Sequence, residues 1–340
     1  MFNRTAHSNV KGKNKDNDFV SRSFKRLVKN DFGNYLTLRL RYSNESQIIH
    51  NRRRDLKAKH VHIQDEATVL KKINIMINGG SDKLQVVTDF DFTLTKTHKN
   101  GNKTLSSFCI FEKSKQLPEA YFLESQRLLN KYRPIELDPK IPKEEKIKAL
   151  DEWMSLCNDL YQGLHYNIDE LDKLVEEYGE TLRDGTIELF HHLKIQEVPV
   201  LVFSAGLGDV VKSVLKHHKI LHDNVNIVSN FLKFNGNVTE GFQNPEKLLH
   251  VYNKNEESVD EKYHELLKER TNILLMGDSL GDANMADGAS KESVILRIGF
   301  LYHHVEENLP LYRDTFDIVL VDDSTMNIIE EILSPVSKKF

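Results

Sequence analysis

The stretch VVTDFDFTLTKTH at residues 86–98 places two aspartates, Asp89 and Asp91, one residue apart at the end of a β-branched run. Carboxylates crowded at a strand end repel one another, so they must be solvated or neutralised. Because alternate residues of an extended segment share a face, both side chains are expected to point at the same site. The stretch predicts a strand that delivers two carboxylates to a functional site.

After residue 60, short β-rich runs alternate with helical segments such as DEATVLKKINIMING at residues 65–79. This pattern is typical of an α/β domain with a parallel sheet. Several runs are continuously apolar, as expected of strands covered by helices on both faces. The predicted strands are Leu84 to Thr88, Val198 to Phe203, Asn226 to Ser229, Ile273 to Met276, Val294 to Ile298 and Ile318 to Val321.

Between the first two of these strands lies an insertion of about 110 residues, far longer than an ordinary crossover. Apolar residues recur at helical spacing from Pro142 to Leu164, Asn167 begins a capped helix start, and a further helix is predicted from Glu180 to Leu193. We therefore expect an α/β core formed by residues 65–100 and 190–340, with a largely helical cap at residues 101–189.

The composition is that of a soluble globular protein, with 39% hydrophobic and 9% aromatic residues among 340. Two cysteines, Cys109 and Cys157, exclude a disulfide framework, and no apolar run approaches the roughly 18 residues of a membrane helix. Nothing near the N-terminus resembles a signal peptide's apolar region. We expect a cytoplasmic protein with no membrane partner and leave its oligomeric state open, a monomer included.

Charge is distributed unevenly along the chain. The first 60 residues carry 15 Lys and Arg against 5 Asp and Glu, although the whole chain has a net charge of -4. This basic region is interpreted as a solvated, poorly ordered extension, with a nucleic-acid or anionic-surface patch as the alternative. Sparse aromatic interleaving argues against nucleic-acid binding.

Polar residues follow three of the predicted strands. Asp89 and Asp91 follow the first, Ser204 follows the second at or just before a helix N-cap, and Asp278 with Asp282 follows a later one. Functional groups of parallel sheets collect beyond the carboxyl ends of the strands. Such carboxylates suit Mg²⁺ and a phosphate ester, with one aspartate as nucleophile and the other as proton donor.

Each of these residues also has a purely structural interpretation. The aspartates alone could cap a turn, Ser204 could be a plain N-cap, and Lys254, a candidate charge against the phosphorylated intermediate, could be one more solvated lysine. All four elements occur in this order, three of them where periodicity requires a strand end, and this combination favours a functional site.

The elements DFDFT, Ser204 in FSAG, Lys254 and GDSLGD resemble the four motifs of the haloacid dehalogenase superfamily of phosphotransferases. Longer stretches, among them KYRPIELDP, VPVLVFSAGLGDVV, HVYNKN and MGDSLGDANMADG, resemble the cytosolic 5'-nucleotidase III family, which includes pyrimidine and 7-methylguanosine-phosphate nucleotidases. The resemblance implies a haloacid dehalogenase-like, Rossmannoid parallel-sheet core with an inserted helical cap. It also implies a Mg²⁺-dependent 5'-nucleotidase that hydrolyses CMP, UMP or 7-methyl-GMP through an aspartyl-phosphate.

Carried over position by position, the resemblance makes Asp89 the nucleophile and Asp91 the acid and base. Mg²⁺ would be held by Asp89, the backbone carbonyl of Asp91 and Asp278, with Asp282 in or just outside the coordination shell. Ser204, the amide of Ala205 and Lys254 would bind phosphate. The assigned residues are listed by role: catalytic, Asp89 and Asp91; metal, Asp89, Asp91, Asp278 and Asp282; phosphate, Ser204, Ala205 and Lys254.

For the nucleobase, the resemblance places Phe108 and Trp153 at the positions that sandwich the ring. Counting without gaps puts the relatives' base-reading glutamate at Ala120, with Glu119 beside it. Either Glu119 serves in that role or the base is read differently.

Two other functions stay open at this level. A phosphatase of the same superfamily could act on phosphoserine or a sugar phosphate, because a fold does not fix a function. Alternatively, the basic N-terminal region could bind RNA or another anion, with the α/β body as a platform.

Overall fold

The structure is a computed structural model that describes residues 58–138, 140–255 and 267–337, so the basic N-terminal region up to residue 57 lies outside it. The chain enters the sheet through β1 (Val61–Ile63), α1 (Glu66–Gly79) and β2 (Leu84–Thr88). The mostly helical segment that follows comprises β3 (His98–Lys99), β4 (Asn102–Lys103), α2 (Ser107–Phe111), α3 (Glu119–Leu137), α4 (Lys143–Tyr161), β5 (Gln162–His165) and α5 (Leu171–Tyr178).

The chain then returns to the sheet, extends a hairpin and completes the sheet. These elements are α6 (Thr186–Ile195), β6 (Val200–Leu207), α7 (Gly208–His217), β7 (Val225–Asn230), β8 (Leu232–Asn235), β9 (Val238–Phe242), β10 (Asn272–Gly277), β11 (Val294–Leu301), α8 (Val305–Thr315), β12 (Ile318–Val321) and α9 (Asn327–Leu333).

The main sheet has seven strands in the order β1-β12-β11-β10-β2-β6-β7. Every neighbouring pair is parallel except β1 with β12, which is antiparallel. All six strands predicted from apolar runs are present, and the parallel α/β architecture is confirmed. Strand β2 lies between β10 and β6, so the three strands that were expected to end in polar side chains are neighbours.

Apolar packing on both faces explains why these strands are continuously apolar. Val86 and Val87 are consecutive residues of β2, yet they belong to two different buried clusters. Consecutive residues of a strand point to opposite faces, so each cluster marks one covered face of the sheet. Both faces are therefore shielded from water, and the carboxyl-terminal edge remains as the place for polar chemistry.

The inserted segment is joined to the core by a second, smaller sheet. Its strand β5 pairs with β9, so the order of the three-stranded sheet is β5-β9-β8. Helix α4 has the predicted apolar stripe, with Leu150, Met154 and Tyr161 buried. The division into a core and a cap at residues 101–189 stays a prediction, and we use the word cap for that segment.

One predicted helix begins later than expected. The helix predicted from Glu180 begins at Thr186, because the preceding residues are tied to the chain after β2. Leu182 forms a β-bridge with Thr95, and Arg183 donates its backbone N–H to Leu94 O at 2.9 Å. These bonds hold residues 181–183 against the segment after β2, where the chain returns from the cap to the core. No helix among the described residues has the length and apolar character that a membrane span requires.

Candidate active site

Three neighbouring strands deliver the predicted site residues to one edge of the sheet. Asp89 follows β2 and donates its backbone N–H to Met276 O of β10 at 3.0 Å, and Asp278 follows β10. Ser204 lies within β6, where its hydroxyl accepts the N–H of Gly206 at 3.0 Å. The expectation that Ser204 is at or just before the helix N-cap is wrong, since the N-cap of α7 is Leu207.

A buried lysine faces the carboxylates. Lys254 Nζ lies 2.7 Å from Asp89 Oδ1 and also pairs with the carboxylate of Asp282. Only 3% of Lys254, 5% of Asp89 and 1% of Asp282 is exposed, so these charges are almost wholly removed from water. Burial raises the pKa of Asp89 to about 7 against the opposing charge of Lys254. Burial alone would lower the pKa of Lys254, but the charges of Asp282 and Asp89 raise it.

Three carboxylates lie close enough to share a cation. Asp89, Asp278 and Asp282 each offer an oxygen, and the three oxygens lie within 4.8 Å of one another. Burial and the charges of Asp89 and Asp282 raise the pKa of Asp278 well above its usual value. One lysine does not balance this much negative charge. An all-oxygen donor set with surplus negative charge fits a hard divalent cation such as Mg²⁺.

Asp91 is oriented by the cap. The backbone N–H of Ser107 donates to Asp91 Oδ1 at 2.7 Å, and the Ser107 hydroxyl donates to Oδ2 at 2.6 Å. The same hydroxyl accepts the N–H of Leu207 at 3.0 Å, at the start of α7. Burial raises the pKa of Asp91 to about 6, although both bonds from Ser107 act to lower it. Helix α2 thus fixes the second aspartate of the motif.

The close approach of these groups requires a glycine at position 206. A Cβ on Gly206 would lie 2.1 Å from Ser107 Oγ, 2.7 Å from Asp91 Oδ2 and 3.1 Å from Ser204 Oγ. No real Cβ tolerates the first two distances. The glycine of the FSAG stretch therefore lets the Ser204 segment lie against Asp91.

A family model described as pyrimidine 5'-nucleotidase (UMPH-1) matches residues 92–337. The chain belongs to this pyrimidine 5'-nucleotidase family. A solved structure of cytosolic 5'-nucleotidase IIIB bound to cytidine matches with a TM-score of 0.79 and 44% identity, covering 83% of this chain and 95% of that one.

Curated relatives agree with this assignment. The 7-methylguanosine phosphate-specific 5'-nucleotidase of Drosophila melanogaster is 44% identical over 283 residues, which is 82% of this chain and 88% of the relative. The human enzyme of the same name is 35% identical over 289 residues, covering 82% of this chain and 96% of the relative. The predicted family is confirmed, and the parallel α/β core with a mostly helical insertion agrees with it. The protein is a 5'-nucleotidase.

In this 5'-nucleotidase, Arg183 supports the loop after β2, and no sequence motif pointed to it. It is 5% exposed, and its guanidinium donates to Thr93 O and Phe92 O at 2.6 Å each and also to Asp323 O. Phe92, next to Asp91, has a φ of 64°, a region that bulky residues rarely adopt. Arg183 therefore holds a strained backbone turn directly behind the second aspartate.

Asn230 was also missed, and it joins two parts of the predicted phosphate site. Its amide nitrogen donates to Ala205 O at 2.9 Å and to Leu249 O at 3.0 Å, and its amide oxygen accepts the N–H of Leu249 at 2.8 Å. The residue is 4% exposed. It links the Ser204-Ala205 segment to the loop that carries Lys254.

The residues assigned to the nucleobase lie on three cap helices. Phe108 is half-buried in α2, next to Ser107, and Trp153 is half-buried in α4 with its ring stacked on Tyr132 at a centroid distance of 5.8 Å. Glu119 is exposed in the first turn of α3. A second cap carboxylate, Glu136, has an 18% exposed side chain and contributes to a raised pKa of Tyr252, in which burial is the larger cause. Its carboxylate pairs with Arg133 of the same helix, with Oε2 lying 2.7 Å from Nη1.

Proposed function

We propose that this 5'-nucleotidase hydrolyses pyrimidine or 7-methylguanosine 5'-monophosphates in a Mg²⁺-dependent reaction through an aspartyl-phosphate on Asp89. The observation that carries the proposal is the buried contact between Asp89 and Lys254 at the end of the central strand. A carboxylate held by a buried ammonium group, with the charge of Asp91 close enough to raise its pKa, suits nucleophilic attack on a phosphate ester.

In the proposed first step, an oxygen of Asp89 attacks phosphorus and the bond from phosphorus to the 5' oxygen breaks. Asp91 donates its proton to that leaving oxygen, which departs as the nucleoside hydroxyl. Water then attacks phosphorus, Asp91 takes the water's proton, and the acyl-phosphate bond breaks to release phosphate. The two bonds from Ser107 hold Asp91 in one orientation during both proton transfers.

The phosphate is proposed to lie between Ser204, the amide of Ala205 and Lys254. Asp89, the backbone carbonyl of Asp91 and Asp278 would hold Mg²⁺, with Asp282 beside them. When bound, Mg²⁺ would offset the negative charge of the carboxylates and of the phosphoryl oxygens. Asp282 fits a position beside the ion because its Oδ2 already accepts the N–H of Ser279 at 2.9 Å.

Base recognition is proposed to use Phe108 and Trp153 as stacking partners. Stacking distinguishes poorly between planar bases, so a polar group must read the base edge. Glu119 is the carboxylate expected from the sequence, and Glu136, which is less exposed, is the second candidate. Glu119→Gln and Glu136→Gln separate the two: the variant that raises KM for CMP more than for a base-free phosphate ester identifies the reader.

The matched family and the curated relatives are named after different bases, so an experiment must decide which base is preferred. The family model is described by pyrimidines and the curated relatives by 7-methylguanosine phosphate. Cation–π attraction would favour a positively charged 7-methylguanine between the aromatic rings. Because the solved relative is described as cytosolic, we also infer a cytoplasmic location.

A panel of phosphate esters tests the proposal. Phosphate release with Mg²⁺ is measured from UMP, CMP, AMP, GMP, 7-methyl-GMP, phosphoserine and glucose 6-phosphate, with Asp89→Asn as the inactive control. We expect turnover of CMP or 7-methyl-GMP that the variant loses. A preference for phosphoserine or glucose 6-phosphate would instead support a phosphatase of another substrate class.

The basic N-terminal region, which lies largely outside the described residues, carries a separate candidate function. Its 15 Lys and Arg residues make salt-dependent RNA binding the relevant assay, because counterion release gives such binding a steep dependence on salt. RNA binding that disappears when residues 1–60 are deleted would add this role. Binding that survives the deletion would exclude it.

A further inference from the structure

His250 connects the phosphate loop to the cap. It lies four residues before Lys254 in the same loop, and only 3% of it is exposed. Its Nε2 lies 3.0 Å from Oδ1 of Asp151, a residue of cap helix α4 whose side chain is 59% exposed. A buried core histidine thus reaches an otherwise solvated carboxylate of the cap.

The other side of the imidazole fixes the histidine's tautomer. Nδ1 of His250 accepts the backbone N–H of Tyr252 at 3.2 Å, so it carries a lone pair and not a proton. The proton of the neutral ring must then lie on Nε2, where it is donated to Asp151. Burial also lowers the pKa of His250, against the charge of Asp151. Each ring nitrogen therefore has one assigned partner, one in the core loop and one in the cap.

The turn between His250 and Lys254 is closed by its own hydrogen bonds. The backbone N–H of His250 donates to Asn253 Oδ1 at 2.7 Å, and the side-chain amide nitrogen of Asn253 donates to Leu248 O at 2.8 Å. Because the turn is short and closed, a displacement of the imidazole moves the backbone that carries Lys254. The lysine side chain ends 2.7 Å from Asp89, so such a displacement reaches the reacting group.

Helix α4 makes further contacts with this part of the core, including Lys143 Nζ over the ring of Tyr252 at 6.0 Å. Besides Asp151, Asn158 accepts the N–H of Phe242 with its Oδ1 at 2.8 Å, at the end of β9. Residues seven apart on a helix lie on the same side, two turns from each other. The contact of Asn158 with Phe242 and the contact of Asp151 with His250 therefore lie at the two ends of the segment that leads from β9 towards Lys254.

We propose that the hydrogen bond between Asp151 and His250 is a positioning contact for the reaction, which holds Lys254 against the phosphate only while cap helix α4 lies on the core. The proposal rests on the proposed function, in which Lys254 meets the phosphate. Neither Asp151 nor His250 touches the reacting atoms; both act through the turn that ends at Lys254.

Substitution of Asp151 tests this directly, because its exposed side chain can be removed without opening a cavity. We expect Asp151→Ala to lower kcat for CMP or 7-methyl-GMP about tenfold, the effect of losing one hydrogen bond to a charged acceptor. Asp151→Asn should restore most of this loss, since an amide oxygen still accepts the Nε2 proton. Asp159→Ala is the matched control, an exposed carboxylate of the same helix that contacts Gln162 and not the core.

A second readout separates positioning from simple stabilisation. Trp153 is the only tryptophan and lies two residues from Asp151 on α4, so its fluorescence reports the cap helix. Titration with inorganic phosphate, which has no base to stack on the ring, should change this emission in the unaltered enzyme and in Asp151→Asn. The change should be lost in Asp151→Ala even at phosphate concentrations that saturate the enzyme by product inhibition.

The outcomes are distinct from those that test the proposed function. Unaltered kcat in Asp151→Ala, or an equal loss in Asp159→Ala, overturns the positioning role while Asp89 remains the nucleophile. A phosphate-induced emission change that persists in Asp151→Ala also overturns it. Failure of the proposed function would appear as turnover that survives Asp89→Asn, whatever the Asp151 variants do.

Discussion

Ser107→Ala isolates the contact through which the cap orients Asp91. The substitution removes the hydroxyl that donates to Asp91 Oδ2 at 2.6 Å, but it leaves the backbone N–H that donates to Oδ1 at 2.7 Å. Asp91 therefore keeps one of its two donors. It becomes free to rotate about the remaining bond, so its proton is no longer aimed at the leaving oxygen.

The expected magnitude follows from the chemistry of the lost bond. A hydrogen bond to a charged acceptor contributes about 1.5–3 kcal/mol. Since one donor remains, we take the lower half of that range, which corresponds to a fall in kcat of about 10- to 40-fold. The variant also leaves the buried N–H of Leu207 without its acceptor, which costs about 1–3 kcal/mol of folding stability.

Ser106→Ala provides the matched control. Ser106 is the N-cap of the same helix, and its hydroxyl accepts the N–H of Cys109 at 3.4 Å without reaching Asp91. Loss of an N-cap costs about 0.5–2 kcal/mol of stability. Both variants should therefore lower the urea midpoint, and Ser107→Ala alone should lower kcat strongly in steady-state phosphate release. Equal kcat values for the two variants would refute the orienting role of Ser107.

Three further predictions concern the support of the site. Gly206→Ala should abolish turnover, since its Cβ would lie 2.1 Å from Ser107 Oγ. The control is Gly236→Ala, where the space around the Cβ is open. It should keep kcat and lose only about 1 kcal/mol of stability because its backbone is left-handed. Arg183→Lys should lower kcat about tenfold, because an ammonium cannot reproduce the guanidinium's bonds to three carbonyl oxygens, and exposed Arg127→Lys should not. His250 should contribute to a loss of stability as pH falls below about 6.5, since its lowered folded-state pKa makes the unfolded chain bind the proton first. Urea unfolding measured from pH 7.5 to 5.5 should therefore give a shallower pH dependence for His250→Gln, by up to about 1.4 kcal/mol per pH unit; an unchanged slope would contradict the assignment.

Periodicity and strand ends were enough to predict the core. The six apolar runs became strands because burial on both faces of a parallel sheet leaves little choice of residue. The same reasoning placed Asp89 and Asp278 beyond two neighbouring strands. It misplaced the start of the helix after Glu180, because the bonds that hold residues 181–183 in an extended form come from residues 94–96, far away in sequence.

The β8–β9 hairpin was missed although a local signal exists. Gly236-Asn237 joins the two strands, Gly236 has a φ of 61°, and a Gly-Asn pair between two strand-like runs is typical of two-residue hairpin turns. The supporting residues had no such signal. Ser107, Arg183 and His250 act through partners 16 to 99 positions away, so only the folded chain shows that they belong to the site.

The proposed mechanism requires Asp89 to become phosphorylated during turnover. The most direct test is to mix the enzyme with Mg²⁺ and CMP or 7-methyl-GMP labelled in the phosphate, quench with acid within one turnover, and locate the label by peptide mass spectrometry. An aspartyl-phosphate on Asp89 should appear as a hydroxylamine-sensitive label on the peptide that contains Asp89, absent from Asp89→Asn. Phosphate release with no protein-bound label, or a label on another residue, would contradict the proposed mechanism.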